Sequence, residues 1–267
     1  MVNNSSTSPF SPSAFPVSGR ELQGKRALVT GGSRGIGAAI VRRLTDAGAQ
    51  VVASARTPVT DFPADATFVP GDVSTLAGAR ALARRAEEVL GGVDILINNA
   101  GAARAFAGTL AVSDEEWVDA LNANYLAAVR LSAAVLPGMI ARQHGVIVNI
   151  SSVAALIATP PLAHYGAAKA ALNAYSKSLA TELAPSGIRV NVVSPGNVTT
   201  PGADKVRQDI ASGVGLDPHA LTAAIPLGRK GVPTDISELI GFLVSERASW
   251  ITGSMFLVDG GEMSFVP

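Results

Sequence analysis

Thr30-Gly31-Gly32-Ser33-Arg34-Gly35-Ile36-Gly37 is the stretch on which the fold turns. It follows an apolar, β-branched run and opens a segment with helical spacing, so it reads as the turn of a strand-to-helix unit. At such a turn the free backbone N–H groups and the positive end of the helix dipole can hold a pyrophosphate. Glycines there allow the tight bend and the close approach of the phosphate. A lone glycine-rich turn is also compatible with a purely structural loop, so the rest of the chain must decide.

Working outward, short β-branched runs alternate with Ala/Leu-rich stretches, the pattern of βαβ units on a parallel sheet. The strand candidates are 25–30, 50–54, 67–70, 93–98, 145–150, 188–194 and 254–258, near-continuously apolar as strands covered on both faces should be. Helices are expected over 36–47, 75–90, 114–142, 162–184 and 234–245, some starting at a Ser, Thr or Asp cap. Together these predict an α/β domain, a doubly wound sheet of about seven parallel strands flanked by helices. The segment 197–226 breaks the rhythm with Gly, Pro and weak periodicity. It is expected to be a mobile insertion, a substrate lid on the carboxyl edge where open α/β sheets bind ligands.

With 267 residues, 48% of them hydrophobic and 16% charged, the chain suffices for one full-sized core. Lys+Arg and Asp+Glu both number 21, which leaves no net positive field for a nucleic acid backbone or an acidic membrane surface. Zero cysteines exclude disulfides, thiolate metal sites and a cysteine nucleophile. The three histidines, His144, His164 and His219, have no carboxylate spacing that suggests a catalytic metal. His164 is expected to be a pocket-wall or exposed imidazole, and Trp117 and Trp250 packing residues. No transmembrane helix is expected, because Gln143, Asn149, Ser151, Ser152 and Pro160-Pro161 interrupt the uncharged stretch 143–168. Residues 1–20 read as a disordered Ser/Pro-rich extension without a basic start or apolar run, so 21–267 is the domain and the cytoplasm the default location.

Several further motifs occur in order. Asn98-Asn99-Ala100-Gly101 closes the fourth strand, Asn124 falls within a helix, Ser152 follows the fifth strand, and Tyr165-Gly-Ala-Ala-Lys169 lies early in a helix. Pro195-Gly196-Asn197-Val198-Thr199-Thr200 and Val258-Asp259-Gly260-Gly261 follow. With the Gly-x-x-x-Gly-x-Gly spacing of the first turn, these resemble the short-chain dehydrogenase/reductase family from about Gly24 to Gly261. The resemblance implies a Rossmann-like fold, an NAD(P)-dependent oxidoreductase and an Asn-Ser-Tyr-Lys tetrad at Asn124, Ser152, Tyr165 and Lys169. It also implies cofactor contacts from Gly31, Ser33, Arg34, Gly35, Ile36, Gly37, Arg56, Asp72, Val73, Asn99, Ala100, Gly101, Tyr165, Lys169, Pro195, Gly196, Val198 and Thr200.

The residues themselves support these roles. Spacing i, i+4 puts Tyr165 and Lys169 on one helical face, where an ammonium would favour phenolate and lower the tyrosine pKa. Tyr165 would then be general acid to a forming alkoxide. By the resemblance, Ser152 bonds the substrate oxygen, Lys169 also holds the nicotinamide ribose, and Asn124 positions a water. Taken singly, Tyr165 reads first as a packing aromatic, Lys169 and Asn124 as solvated residues and Ser152 as a loop cap; only their joint occurrence reverses that. Asp72 before a helix also reads as an N-cap.

The second expected strand ends near Ala55, where NAD-selecting enzymes place an acid. Arg56 follows, and Arg34 leaves the glycine-rich turn, so two guanidinium groups suit a 2′-phosphate and NADP(H). The expected reaction is reduction of a ketone or aldehyde to an alcohol, or its reverse. Ala102, Ala103, Ala154, Ala155 and Leu156 would give small apolar pocket walls. A 3-oxoacyl carrier-protein reductase is the alternative, weakened by Gln143 and Ser186 where such enzymes tend to carry docking arginines, although Arg142 is adjacent. A dehydratase or epimerase of the related extended class, usually longer, and a nucleotide-sensing module without chemistry are the rivals. Ala and Leu around much of the 114–142 and 162–184 helices predict a homo-oligomer, by resemblance a tetramer.

Overall fold

The computed structural model describes residues 20–57, 62–63, 65–214 and 225–263. The expected extension 1–20, apart from Arg20, and part of the expected lid lie outside the described residues. Strands β1 (Arg26–Thr30), β2 (Gln50–Ala55), β3 (Ala66–Pro70), β4 (Ile95–Asn98), β5 (Gly145–Ile150), β6 (Ile188–Pro195) and β7 (Met255–Val258) form one sheet in the order β3-β2-β1-β4-β5-β6-β7. Every pairing is parallel. The order reverses between β1 and β4, which opens a crevice at the carboxyl ends of those strands.

Helices α1 (Gly35–Asp46) and α7 (Pro233–Val244) share one face, while α2 (Leu76–Leu90), α4 (Ala127–Ala141) and α5 (Ala163–Leu183) cover the other. The two-residue period of the strands divides the core. Ala27, Val29, Ile95 and Ile97 pack with Ile40, Leu44, Ile236 and Ile240, whereas Leu28, Leu96 and Ile147 pack with Leu82, Leu131 and Met139. Each fully buried Leu or Ile contributes about 1.5–3 kcal/mol of apolar burial. Only the central strands are buried throughout. Edge strands β3 and β7 are partly exposed, because each has a neighbour on one side only.

Two helical expectations need correction. The run 114–142 is α3 (Asp114–Leu121), a π-helical turn Asn122–Leu126 and α4, not one α-helix. Pro201–Val214 forms a helix, α6, that weak periodicity in the 197–226 insertion did not announce. By length and composition Asp114–Ala141 would suffice to cross a membrane. In the fold it lies against the sheet and buries Ala127, Leu131, Val135 and Met139 along one stripe.

Candidate active site

The carboxyl end of β1 is tied to β4 by Thr30. Its hydroxyl accepts from the backbone N–H groups of Asn99 and Ala100, both at 3.0 Å, and donates to the Ile97 carbonyl at 3.3 Å. The Asn99 amide donates to the Thr30 and Gly31 carbonyls at 2.9 and 3.2 Å. Gly31 has φ 64°, and a Cβ on Gly37 would sit 2.0 Å from the Gly31 carbonyl oxygen, so neither position tolerates a side chain. At the start of α1, Arg34 makes no side-chain cap and the first turn holds no acid. Backbone donors at that end therefore have no side-chain competitor for an anion.

β2 ends at Ala55, as the sequence suggests, and register pairs Thr30 with Ser54. Arg34 and Arg56, both exposed, thus leave neighbouring strand ends. Asp72 is not a helix cap: Thr75 caps α2 by accepting from the Gly78 N–H. The Asp72 carboxylate instead accepts from the Ser74 backbone and hydroxyl, which, with a smaller effect of the Arg56 charge, hold its pKa below the ordinary value. This glycine-cradled turn, with cations and no acid at the end of β2, fits a phosphorylated dinucleotide.

The four tetrad candidates converge from three elements. Ser152, just past β5, accepts from the Ala154 N–H at 3.2 Å and hydrogen-bonds Tyr165. Tyr165 and Lys169 share a face of α5, with the ammonium 5.8 Å from the phenol ring centre. Lys169 donates to the Ile150 carbonyl at 2.8 Å. Asn124, on the π turn, donates to the Ala102 and Ala120 carbonyls at 2.9 and 3.1 Å and accepts from the Ala102 N–H at 3.0 Å. An i→i+5 turn inserts one residue into the helical phase, and such turns cluster at functional sites. Behind these groups lies a cavity of ≈ 10 Å³ lined by Thr30, Asn98, Ala100, Asn124 and Lys169 among others. That is about the room one water needs.

One electrostatic expectation fails in this state. Burial pushes the Tyr165 phenol above its ordinary pKa, opposed only by the Ser152 hydrogen bond. Burial also lowers Lys169 to about 8. The ammonium bonds a main-chain carbonyl instead of the phenol, so lysine does not lower the tyrosine here.

His164 is 3% exposed, enclosed by Phe106 and Trp117, whose rings stand edge-on at 5.1 and 6.2 Å. It is buried, not exposed, and among the described residues no group of three or more His, Asp or Glu side chains is placed to hold a metal ion. Burial lowers its pKa, with Glu116 opposing and Arg104 reinforcing. Trp117 packs as expected, but Trp250 is 99% exposed and does not.

Sequence reading missed three groups. Thr30 carried a signal, a β-branched hydroxyl at the strand end before the glycines. Arg207 and Glu262 carried none, because their meeting at Asn197 depends on the placement of α6 and the segment after β7.

Residues 31–262 match the family model described as enoyl-(acyl carrier protein) reductase. A 3-oxoacyl-[acyl-carrier-protein] reductase of Escherichia coli is 38% identical over 246 residues, covering 90% of this chain and 98% of that protein. An uncharacterised oxidoreductase of Methylorubrum extorquens is 40% identical over 252 residues, with 90% and 98% covered. The crystal structure of levodione reductase superposes with a TM-score of 0.83 at 23% identity, covering 91% of this chain and 99% of that one, and so shares the fold. With that family model matched over residues 31–262 and a relative 38% identical across 90% of the chain, the chain belongs to the short-chain dehydrogenase/reductase family of oxidoreductases.

Proposed function

We propose that this protein reduces a ketone or aldehyde to an alcohol with NADPH, and catalyses the reverse oxidation. The observation that carries this reading is the convergence of a Ser152–Tyr165 hydrogen-bonded pair with Lys169 beside the phenol ring, and of Lys169 and Asn124 on a shared water-sized cavity. Bound NADPH supplies the hydride. The turn Gly31–Gly37 would hold its pyrophosphate, Arg34 and Arg56 the 2′-phosphate, Asp72 and Val73 the adenine side, and Asn99–Gly101 and the Pro195–Thr200 loop the nicotinamide half.

Ser152 donates a hydrogen bond to the carbonyl oxygen and Tyr165 delivers the proton to it. A phenol with a raised pKa stays protonated at neutral pH, the form a general acid needs before the transfer. Lys169, near its titration point, takes part in resupplying the proton through a water held by Asn124. Lys169, which donates to the Ile150 carbonyl in the cofactor-free protein, would also hold the nicotinamide ribose of a bound cofactor.

Oxidation of NADPH across a panel of carbonyl compounds tests the proposal. Tyr165→Phe should lower kcat by about 10²- to 10⁴-fold while NADPH still binds. Near wild-type turnover by that variant would remove the assignment. For cofactor choice, Ala55→Asp with Arg56→Ala should shift preference toward NADH by about 2–4 kcal/mol in kcat/KM. A wild type faster with NADH would overturn it.

A 3-oxoacyl thioester is the second substrate reading, favoured by the name of the Escherichia coli relative. Gln143 and Ser186 in place of docking arginines favour a free carbonyl compound instead. Segment 197–226 acts as the substrate lid. The protein works in the cytoplasm as a homotetramer.

A further inference from the structure

We infer that Arg207 and Glu262 are positioning residues that, through Asn197, hold the Pro195–Thr200 loop in its cofactor-binding shape before a dinucleotide arrives. This rests on the proposed NADPH reading of that loop.

Arg207, on α6, is 8% exposed. A buried guanidinium persists only with its donors satisfied, and two of its partners are on the loop. It donates to the Asn197 side-chain oxygen and to the Val198 carbonyl, both at 3.2 Å, and pairs with Asp204 at 2.5 Å. From the opposite side Glu262, which follows β7, accepts from the Asn197 backbone N–H at 3.3 Å and from its amide nitrogen. The Asn197 amide therefore has a cation at its oxygen and an anion at its nitrogen. Flipping it would oppose donor to donor and acceptor to acceptor, so only one orientation is allowed.

The loop backbone is held as well. Gly231 donates to the Asn197 carbonyl at 3.0 Å, and Thr199 donates to Gly231 at 2.9 Å. A Cβ on Gly196 would stand 2.9 Å from the Glu262 carboxylate, and one on Gly35 would meet the Thr200 methyl at 3.1 Å. The charged clamp thus sets how far the loop stands from the glycine-rich turn across the dinucleotide crevice. Binding to a loop already in place avoids the entropy of ordering it.

The test uses the full chain and isothermal titration with NADPH. Arg207→Met and Glu262→Gln should each weaken binding about tenfold, with the double variant little worse than either, because both act through one amide. Arg207→Lys should recover only part, lacking the planar fork. In the cofactor-free variants the Thr199 N–H should exchange hydrogen faster, and kcat at saturating NADPH should change less than twofold, which a general loss of structure would not give. If Arg207→Met does not fold, the milder Glu262→Gln carries the same test. Variants that bind NADPH like the wild type, or whose effects simply add, would overturn the inference alone. A wild type that binds neither NADPH nor NADH would instead remove the proposed function, and this inference with it.

Discussion

Lys169 illustrates how one side chain answers to both stability and chemistry. Its folded pKa of about 8 lies below its ordinary 10.5 because burial penalises the charge. Between those values the unfolded chain binds more protons than the folded one, so stability rises with pH across that window. Below about pH 8 the penalty is fully present, about 3 kcal/mol at most. Urea unfolding of cofactor-free protein should therefore show wild type gaining on Lys169→Met as pH rises from 8 to 10.5; parallel curves would place the lysine in solvent. The sequence made Tyr165 and Lys169 legible as a pair through their i, i+4 spacing. It gave no sign that Lys169 rests on Ile150, since that contact is made to a main-chain carbonyl that every residue type carries.

Elements were legible where periodicity was strong and obscure where a local irregularity did the positioning. Central strands announced themselves by apolar runs such as Val146-Ile147-Val148, whereas the π turn at Asn122–Leu126 leaves the sequence looking like uninterrupted helix. An extra residue in a turn changes the phase of side chains without changing composition. Deleting Ala123 should restore α-helical phase and rotate Asn124 away from Ala102 by about 100°. Turnover should then fall at least tenfold with circular dichroism little changed. Asn124→Ala should cost about 1–3 kcal/mol by leaving the Ala102 N–H and carbonyl without their partner. Thermal melts would check this, and an unchanged midpoint would show that water replaces the amide. Helix α6 escaped sequence reading because its Gly202 and Gly213 weaken local propensity, and its anchor, Arg207, looks like any surface arginine until its partners arrive from elsewhere in the chain.

At the scale of the whole molecule, the proposed homotetramer has two candidate contact residues to test. Trp250 and Leu110 are fully exposed, and Trp250 lies just ahead of edge strand β7. Aromatic side chains of this kind anchor interfaces. Light scattering should give a mass roughly four times 27.1 kDa, and Trp250→Glu should lower it; a monomeric wild type would return these residues to ordinary surface. All strands point the same way, so the Thr30, Asn98, Ile150 and Pro195 ends open onto one rim while the opposite rim carries none of the tetrad. Chemistry and scaffold are thereby separable along the chain. A chimera that takes residues 102–112 and 208–230 from another family member, keeping the Arg207 clamp and everything beneath the rim, should inherit the donor's substrate range and the recipient's melting temperature.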